Sequence, residues 1–214
     1  MIQDYLKIHS EKIENKILAR YRCKQLKRTD FSIISNNCWG GHVYRRYGLP
    51  YLSPTVGLYF FTDEYMKFIA NLAENLNSDL RFISWTESRY KSVILEKKQE
   101  SVPIGLLGGD IEIMFLHYQS AQEAYDKWNR RCQRVNLDNL IIKISQMNLC
   151  TIDHLMAFDR LDYKRKIAFV IPEYSSRLAC GIPVYKYSNS ERVLDDTTYY
   201  DRHIALDGFL NDFK

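Results

Sequence analysis

The sequence predicts an α/β protein built on a doubly wound parallel sheet. Two features of its patterning carry that expectation: an apolar run that ends in a polar, glycine-containing loop and passes into a helix, and a return of alternating strand and helix signals over the second half. A third feature, a cluster of strand-like runs between these parts, predicts a smaller inserted α/β unit.

Phe31 to Ser35 (FSIIS) reads as a short buried strand. Asn36 to Gly41 forms the loop, and His42 to Tyr47 a short helix stopped by Gly48 and Pro50. In sheets made of such units, ligands bind beyond the carboxyl ends of the strands. Pro50, Pro54 and Gly57 punctuate an aromatic connection, after which Thr62 or Asp63 caps a helix with Tyr65, Phe68, Ile69, Leu72 and Leu76 as its apolar positions. Four runs follow as strands: RFISWTES, SVILEKK, VPIGLLGG and DIEIMFLHY. Ser120 and Glu123 then form a capping box opening a helix to about Arg134. LIIKIS (140–145) is a strand, Asp153 to Leu161 a helix and KIAFVI (166–171) a strand; a short strand at Pro183 to Tyr187 and a helix from Thr198 to Phe213 close the chain. The expected division is a main domain of 1–61 and 118–214, with 62–117 as the insertion.

With 214 residues, 46% of them hydrophobic, the chain has material for a real core. Its five scattered cysteines suit neither a disulfide framework nor a metal knuckle, so a reducing compartment and no metal are expected. No apolar stretch reaches bilayer length and the start lacks a secretory apolar segment, which predicts a cytoplasmic protein. Net charge is only +4, but Lys7 to Arg28 is markedly basic and amphipathic, with Leu6, His9, Ile13, Ile17 and Tyr21 on one side. The first expectation for this segment is a helix packed on the domain with a solvated basic face. The alternative is contact with anionic lipid at the inner face of the membrane, or with a partner. Zinc-finger spacing, RNP-like aromatics, GxGxxG and the GxxxxGK[ST] loop are absent, so neither nucleic acid nor the usual nicotinamide or ATP chemistry is expected.

The candidate site centres on Ser35-Asn36-Asn37-Cys38-Trp39-Gly40-Gly41. A thiol between strand and helix meets one condition for activation, because helix N-terminal amides stabilise a thiolate. Gly40 and Gly41 permit close backbone approach, Asn36 and Asn37 carry amides for hydroxyls or an oxyanion, and Trp39 completes the loop as a binding residue. The competing reading makes Cys38 a small buried residue in a purely binding loop. Lys127, Arg131 and Arg134 form a cationic stripe for phosphate or carboxylate, weighed against an ordinary solvated face. His117, ending a strand, and His154, with Asp159 nearby in sequence, are the candidate bases for Cys38.

The segments FSIISNNCWGGHVYRRYGLPYLSPTVGLYFFTDEY, HYQSAQEAYDKWNRRCQRVN and FDRLDYKRKIAFV resemble a bacterial family labelled only as a domain of unknown function, whose members are often described as exopolysaccharide-biosynthesis proteins. The resemblance covers most of the chain and is most specific at NNCWGG. It implies a flavodoxin-like domain interrupted by a smaller α/β domain, and work on surface or capsular sugars as an O-acetyl or other group transferase. The leading expectation is therefore a transferase acting on a surface polysaccharide or its activated precursor, with acyl transfer favoured. A glycosyltransferase with Asp159 or Asp110 as base is the alternative, and a non-catalytic scaffold of an exopolysaccharide assembly is a third class. The expected donor is an acyl-coenzyme A or a sugar nucleotide.

Overall fold

The computed structural model describes residues 16–198 and 200–212. The basic segment's positions Leu6, Lys7, His9, Lys12 and Ile13 lie outside them. Residues 16–23 are helical, and two of the positions expected on the apolar side, Ile17 and Tyr21, are exposed.

Among the described residues seven strands form two sheets. They are β1 (Ser32–Ser35), β2 (Leu80–Ile83), β3 (Ile104–Leu107), β4 (Ile111–Met114), β5 (Leu140–Ser145), β6 (Lys166–Val170) and β7 (Gly181–Pro183). A four-stranded parallel sheet has the order β1-β5-β6-β7, and β2-β3-β4 form a separate antiparallel sheet. The principal helices are α1 (Trp39–Tyr47), α2 (Thr62–Ala70), α3 (Lys91–Glu96), α4 (Ala121–Cys132), α5 (Ile152–Arg160) and α6 (Leu206–Asn211).

Both faces of the parallel sheet are buried, as a sheet reached through helical crossovers requires. Because side chains alternate along a strand, Ile34, Ile142, Ile144, Ala168 and Val170 meet Tyr65, Phe68 and Ile69 of α2, Trp128 of α4, and Leu155 and Phe158 of α5. Ile33, Ile141, Ile167 and Phe169 meet Val43, Tyr44 and Tyr47 of α1 and Leu206 and Leu210 of α6. Helix α1 sits close to β1 because residue 40 is glycine: a Cβ there would stand 3.0 Å from Ile33. The outer edge of β1 is closed by hydroxyls. Ile33 N–H donates to Tyr44 Oη at 3.0 Å and Ser35 N–H to Thr55 Oγ1 at 3.0 Å, satisfying edge donors that would otherwise invite another strand.

The small sheet does not stand apart. Leu80, Leu107, Ile111 and Ile113 belong to the same buried cluster as Ile142 and Ile144, bridged by aromatic contacts such as Phe68 to Trp128 and Phe115 to Trp128. Ion pairs fasten it to α2. Glu64 accepts from Arg89 at 2.7 Å, Tyr90 Oη at 2.9 Å and Glu112 N–H at 2.9 Å, while Glu112 accepts from Arg89 N–H at 3.0 Å.

Several expectations change. The strand expected at Pro183 to Tyr187 is β7 at Gly181–Pro183, with Tyr185–Tyr187 a 3-10 turn, and α2 follows Phe61 with no side-chain cap from Thr62 or Asp63. SVILEKK is helical (α3), because its consecutive Val93-Ile94-Leu95 has no period of two and a short apolar run suits either state. The last helix contracts to Leu206–Asn211. At α4 the Ser120 hydroxyl accepts from Glu123 N–H at 3.1 Å as expected, but the Glu123 carboxylate reaches back to Gln119 N–H at 2.8 Å, one residue earlier than the box predicts.

Arg89→Met strands two buried carboxylates, Glu64 and Glu112, with side chains only 2% and 3% exposed. Arg89 itself is partly exposed, so the expected loss is about 2 kcal/mol, below that of a fully buried pair. The urea midpoint measures it.

Candidate functional site

The parallel sheet changes character at its carboxyl end. On the face that packs against α1, the positions that hold isoleucine lower down are taken by Ser35, Lys143 and Ser145, all fully buried, with Ser35 beside Lys143 in the β1–β5 register. Asn36 joins the two strand ends: its Oδ1 accepts from Ser145 N–H at 3.0 Å and its Nδ2 donates to Ser145 O at 3.1 Å.

Lys143 lies between the rings of Trp39 and Phe169, at 6.0 and 5.3 Å. Its ammonium donates to Asn37 Oδ1 at 2.8 Å and pairs with Asp196, which also accepts from Ser145 Oγ and, at 2.8 Å, from Asn37 Nδ2. Burial pulls the Lys143 pKa below its ordinary value, and the Asp196 carboxylate opposes that pull. Asp196 comes from an irregular segment that folds back over α1, where Trp39 Nε1 donates to Tyr200 O at 3.2 Å and Arg46 pairs with Asp201 at 2.5 Å. Next to it, Asp195 accepts from Thr197 N–H at 2.8 Å and Thr197 Oγ1 at 2.6 Å. Burial acts to raise the Asp195 pKa, but hydrogen bonds from Thr197 and Thr198 outweigh it and hold the value at about 2.

Cys38 is the N-cap residue of α1 and directs its thiol to Leu58 O at 3.8 Å. The thiol is not activated in this state. Burial and then Asp196 push its pKa up, against the pull of Lys143 and Arg45. Two adjoining cavities of about 390 and 260 Å³ share Cys38, His42 and His117 in their walls. The first adds Gly41, Arg45, Lys127 and Arg131; the second adds Asn37, Asp196, Lys97 and Asn148. Burial, followed by Arg45, lowers the His42 pKa below 6.5, so a neutral imidazole faces the cleft at pH 7. Arg131 is fixed by Val56 O at 3.1 Å and Tyr118 Oη at 2.6 Å, with its guanidinium over Tyr51, whereas Lys127 is paired with Glu123.

Of the residues singled out from sequence, Cys38, His117, Gly41, Asn37, Lys127 and Arg131 line the cleft. Asn36, Trp39 and Gly40 are buried framework, and the amides of Asn36 and Asn37 are committed to Ser145 and Asp196. Arg134 is exposed beyond the end of α4. The structure does not bring His154 or Asp159 to Cys38. His154 caps α5 with Thr151 and bonds Asp63 at 2.8 Å, and Asp159 accepts from the N–H groups of Ala179 and Cys180, both at 3.0 Å. Asp110 pairs with Lys67 and Arg89. Sequence reasoning missed Lys143, Asp196 and the placement of His42. For Lys143 a signal existed: a lysine inside LIIKIS, a strand expected to be buried.

The chain belongs to the family described as "Domain of unknown function (DUF1919)", which matches residues 9–209. It is similar to an uncharacterized protein of Haemophilus influenzae (strain ATCC 51907 / DSM 11121 / KW20 / Rd), with 31% identity over 151 residues. That match covers 71% of this chain and 66% of the relative.

Asp196→Ala leaves the Lys143 ammonium on a rigid central strand with no carboxylate. The expected cost is about 3–5 kcal/mol in urea unfolding. The Asp195 turn is expected to be acid-sensitive: with its pKa depressed from 3.8 to about 2, its stabilisation is complete above the unfolded value and disappears as pH falls through the folded one. Comparing acid titrations of wild type and Asp195→Asn checks this, the variant lacking the change between those pH values.

Proposed function

Taking membership of that family as the premise, we propose that this protein is a transferase that moves an acyl group, by way of Cys38, onto a surface polysaccharide or its activated sugar precursor. The observation that carries the reading is the meeting of one thiol, two imidazoles and a cationic wall in a single cleft at the carboxyl end of the sheet. The expected donor is an acyl-coenzyme A, whose phosphates match Arg45, Lys127 and Arg131.

The chemistry balances with these groups. An imidazole, His42 or His117, takes the Cys38 proton as sulfur attacks the acyl carbon; the donor's carbon–sulfur bond breaks, and the imidazolium returns the proton to the departing thiolate. A sugar hydroxyl then gives its proton to the same imidazole and attacks the Cys38 thioester, and the Cys38 sulfur leaves and regains the proton. The N–H groups of Trp39 and Gly41 are engaged by Asn37 Oδ1 and Cys38 O, so the charge that develops on the acyl oxygen is met by the cations of the cleft wall, Arg45 among them. A thiol whose pKa is raised by burial is protected from oxidation and is deprotonated only in step with attack.

Glycosyl transfer is the second reading and would use the same cations for a sugar nucleotide. It is weaker because Asp159 and Asp110, its expected bases, are bonded elsewhere. On the same proposal the scaffold is flavodoxin-like. What supports it is the presence of helices on both faces of the parallel sheet and of 62–117 as an insertion with its own antiparallel sheet; the observed order β1-β5-β6-β7 departs from it, since among the described residues no strand lies beyond β1 to make the reversal of a doubly wound sheet. Among the described residues no helix is long and apolar enough to cross a membrane. We propose a cytoplasmic location, with contact at the inner face of the membrane or with a partner as the alternative role of its basic N-terminal segment.

Acetyl transfer from acetyl-coenzyme A to a panel of sugar acceptors, followed chromatographically, tests the reading. Cys38→Ala and Cys38→Ser are both expected to abolish it; acetyl transfer kept by Cys38→Ser would overturn the Cys38 thioester, and glycosyl transfer from a sugar nucleotide that survives Cys38→Ser, with no acetyl transfer by wild type, would favour the second reading. Replacing the imidazole that serves as base, by His42→Gln or His117→Gln, is expected to cost about 10²-fold in kcat. If His42 is that base, the acid limb of kcat has its midpoint below 6.5.

A further inference from the structure

Past Asn148 the cleft adjoins a further cavity of about 280 Å³, and Lys97, Met147 and Asn148 line both. Two kinds of surface meet in it. Lys97 and Arg192 supply cations, and Val93, Leu149 and Leu194 supply hydrocarbon, with Leu149 and Leu194 exposed at 46% and 56%. The Lys97 ammonium lies over the rings of Tyr59 and Phe61, at 5.5 and 5.7 Å. Among the described residues no carboxylate is in ion-pair contact with Lys97 or Arg192. Glu96 lines the same cavity, but at Lys97 its effect is smaller than that of Arg192, which together with desolvation lowers the lysine's pKa.

The backbone beneath Leu149 is strained. Asn148 and Leu149 have φ of 53° and 67°, a left-handed backbone that is disfavoured for leucine. Thr62 enforces the turn, its N–H donating to Asn148 O at 3.0 Å and its hydroxyl to Met147 O at 3.0 Å. The strain gains no core burial, since it leaves the leucine side chain half in water at the rim of a cationic cavity.

We propose that this cavity binds a lipid phosphate as a single molecule, with the phosphate on Lys97 and Arg192 and the hydrocarbon chain along Val93, Leu149 and Leu194. The group that the phosphate carries then lies at Asn148, beside Cys38. Its role as acyl acceptor rests on the function proposed above; its binding does not. A concave site with two cations and Glu96 suits one amphiphile, whereas membrane surfaces are met by clusters of about 4–8 basic residues.

Calorimetry with farnesyl phosphate below its aggregation concentration tests the proposal, with farnesol and inorganic phosphate as half-ligands. Wild type is expected to bind the whole molecule at least about tenfold more tightly than either half. Arg192→Gln and Leu194→Gln should each weaken binding about fivefold or more. Leu149→Gly is expected to weaken it likewise with a Tm no lower than wild type, which a merely structural leucine would not show. Cys38→Ala should bind as wild type does. Equal binding by all the cavity variants, or binding only to phosphatidylglycerol vesicles, overturns the proposal, the latter in favour of a membrane surface. Intact binding without any Cys38-dependent acetyl transfer sinks the acyl reading alone, and acetyl transfer without farnesyl phosphate binding sinks this one alone.

Discussion

The buried ion pair between Lys143 and Asp196 is the constraint on which the cleft depends. An ammonium on a central strand, closed in by Trp39 and Phe169, is tolerable only with an opposite charge and filled hydrogen-bond positions. The two partners are not equivalent. Lys143 is fixed by β-sheet bonding on both sides, whereas Asp196 sits in a segment without regular structure. The lysine therefore recruits the segment, and the segment then lies across α1 and walls the cleft beside Cys38.

The same arrangement sets the chemistry of the loop. Asn36 and Asn37, which as isolated residues invite a role in ligand binding, act first as couplers: one ties the ends of β1 and β5, the other joins Lys143, Asp196 and the start of α1. Cys38 is thus held at a polar strand end while its thiol stays in the neutral form. Cys132, Cys150 and Cys180, pushed up to about 12, sit away from the cationic wall. What distinguishes Cys38 is its position between two imidazole-lined cavities, not a low resting pKa.

Much of this was legible in the sequence wherever the information was local. The strand at 32–35, the loop into α1, the serine cap at 120 and the strands LIIKIS and KIAFV follow from periodicity and capping. Of the stripe on α4, Lys127 and Arg131 line the cleft, while Arg134 lies outside it because the helix ends at Cys132. His154 and Asp159 were drawn together by closeness in the chain, but residues five apart on a helix do not share a face. The decisive pair was unreadable for a different reason. Lys143 was conspicuous among isoleucines, yet its partner lies 53 residues away in a segment with no periodic signal.

Hydrogen–deuterium exchange at residues 193–198 in Lys143→Met is the most direct test of the central claim. Without the lysine, Asp196 is a buried carboxylate on a segment that is free to leave. The predicted result is a folded protein whose parallel sheet keeps its protection while 193–198 loses it, and in which Lys143→Met/Asp196→Leu restores that protection through apolar contact. Unchanged protection of 193–198 in the single variant would contradict the account.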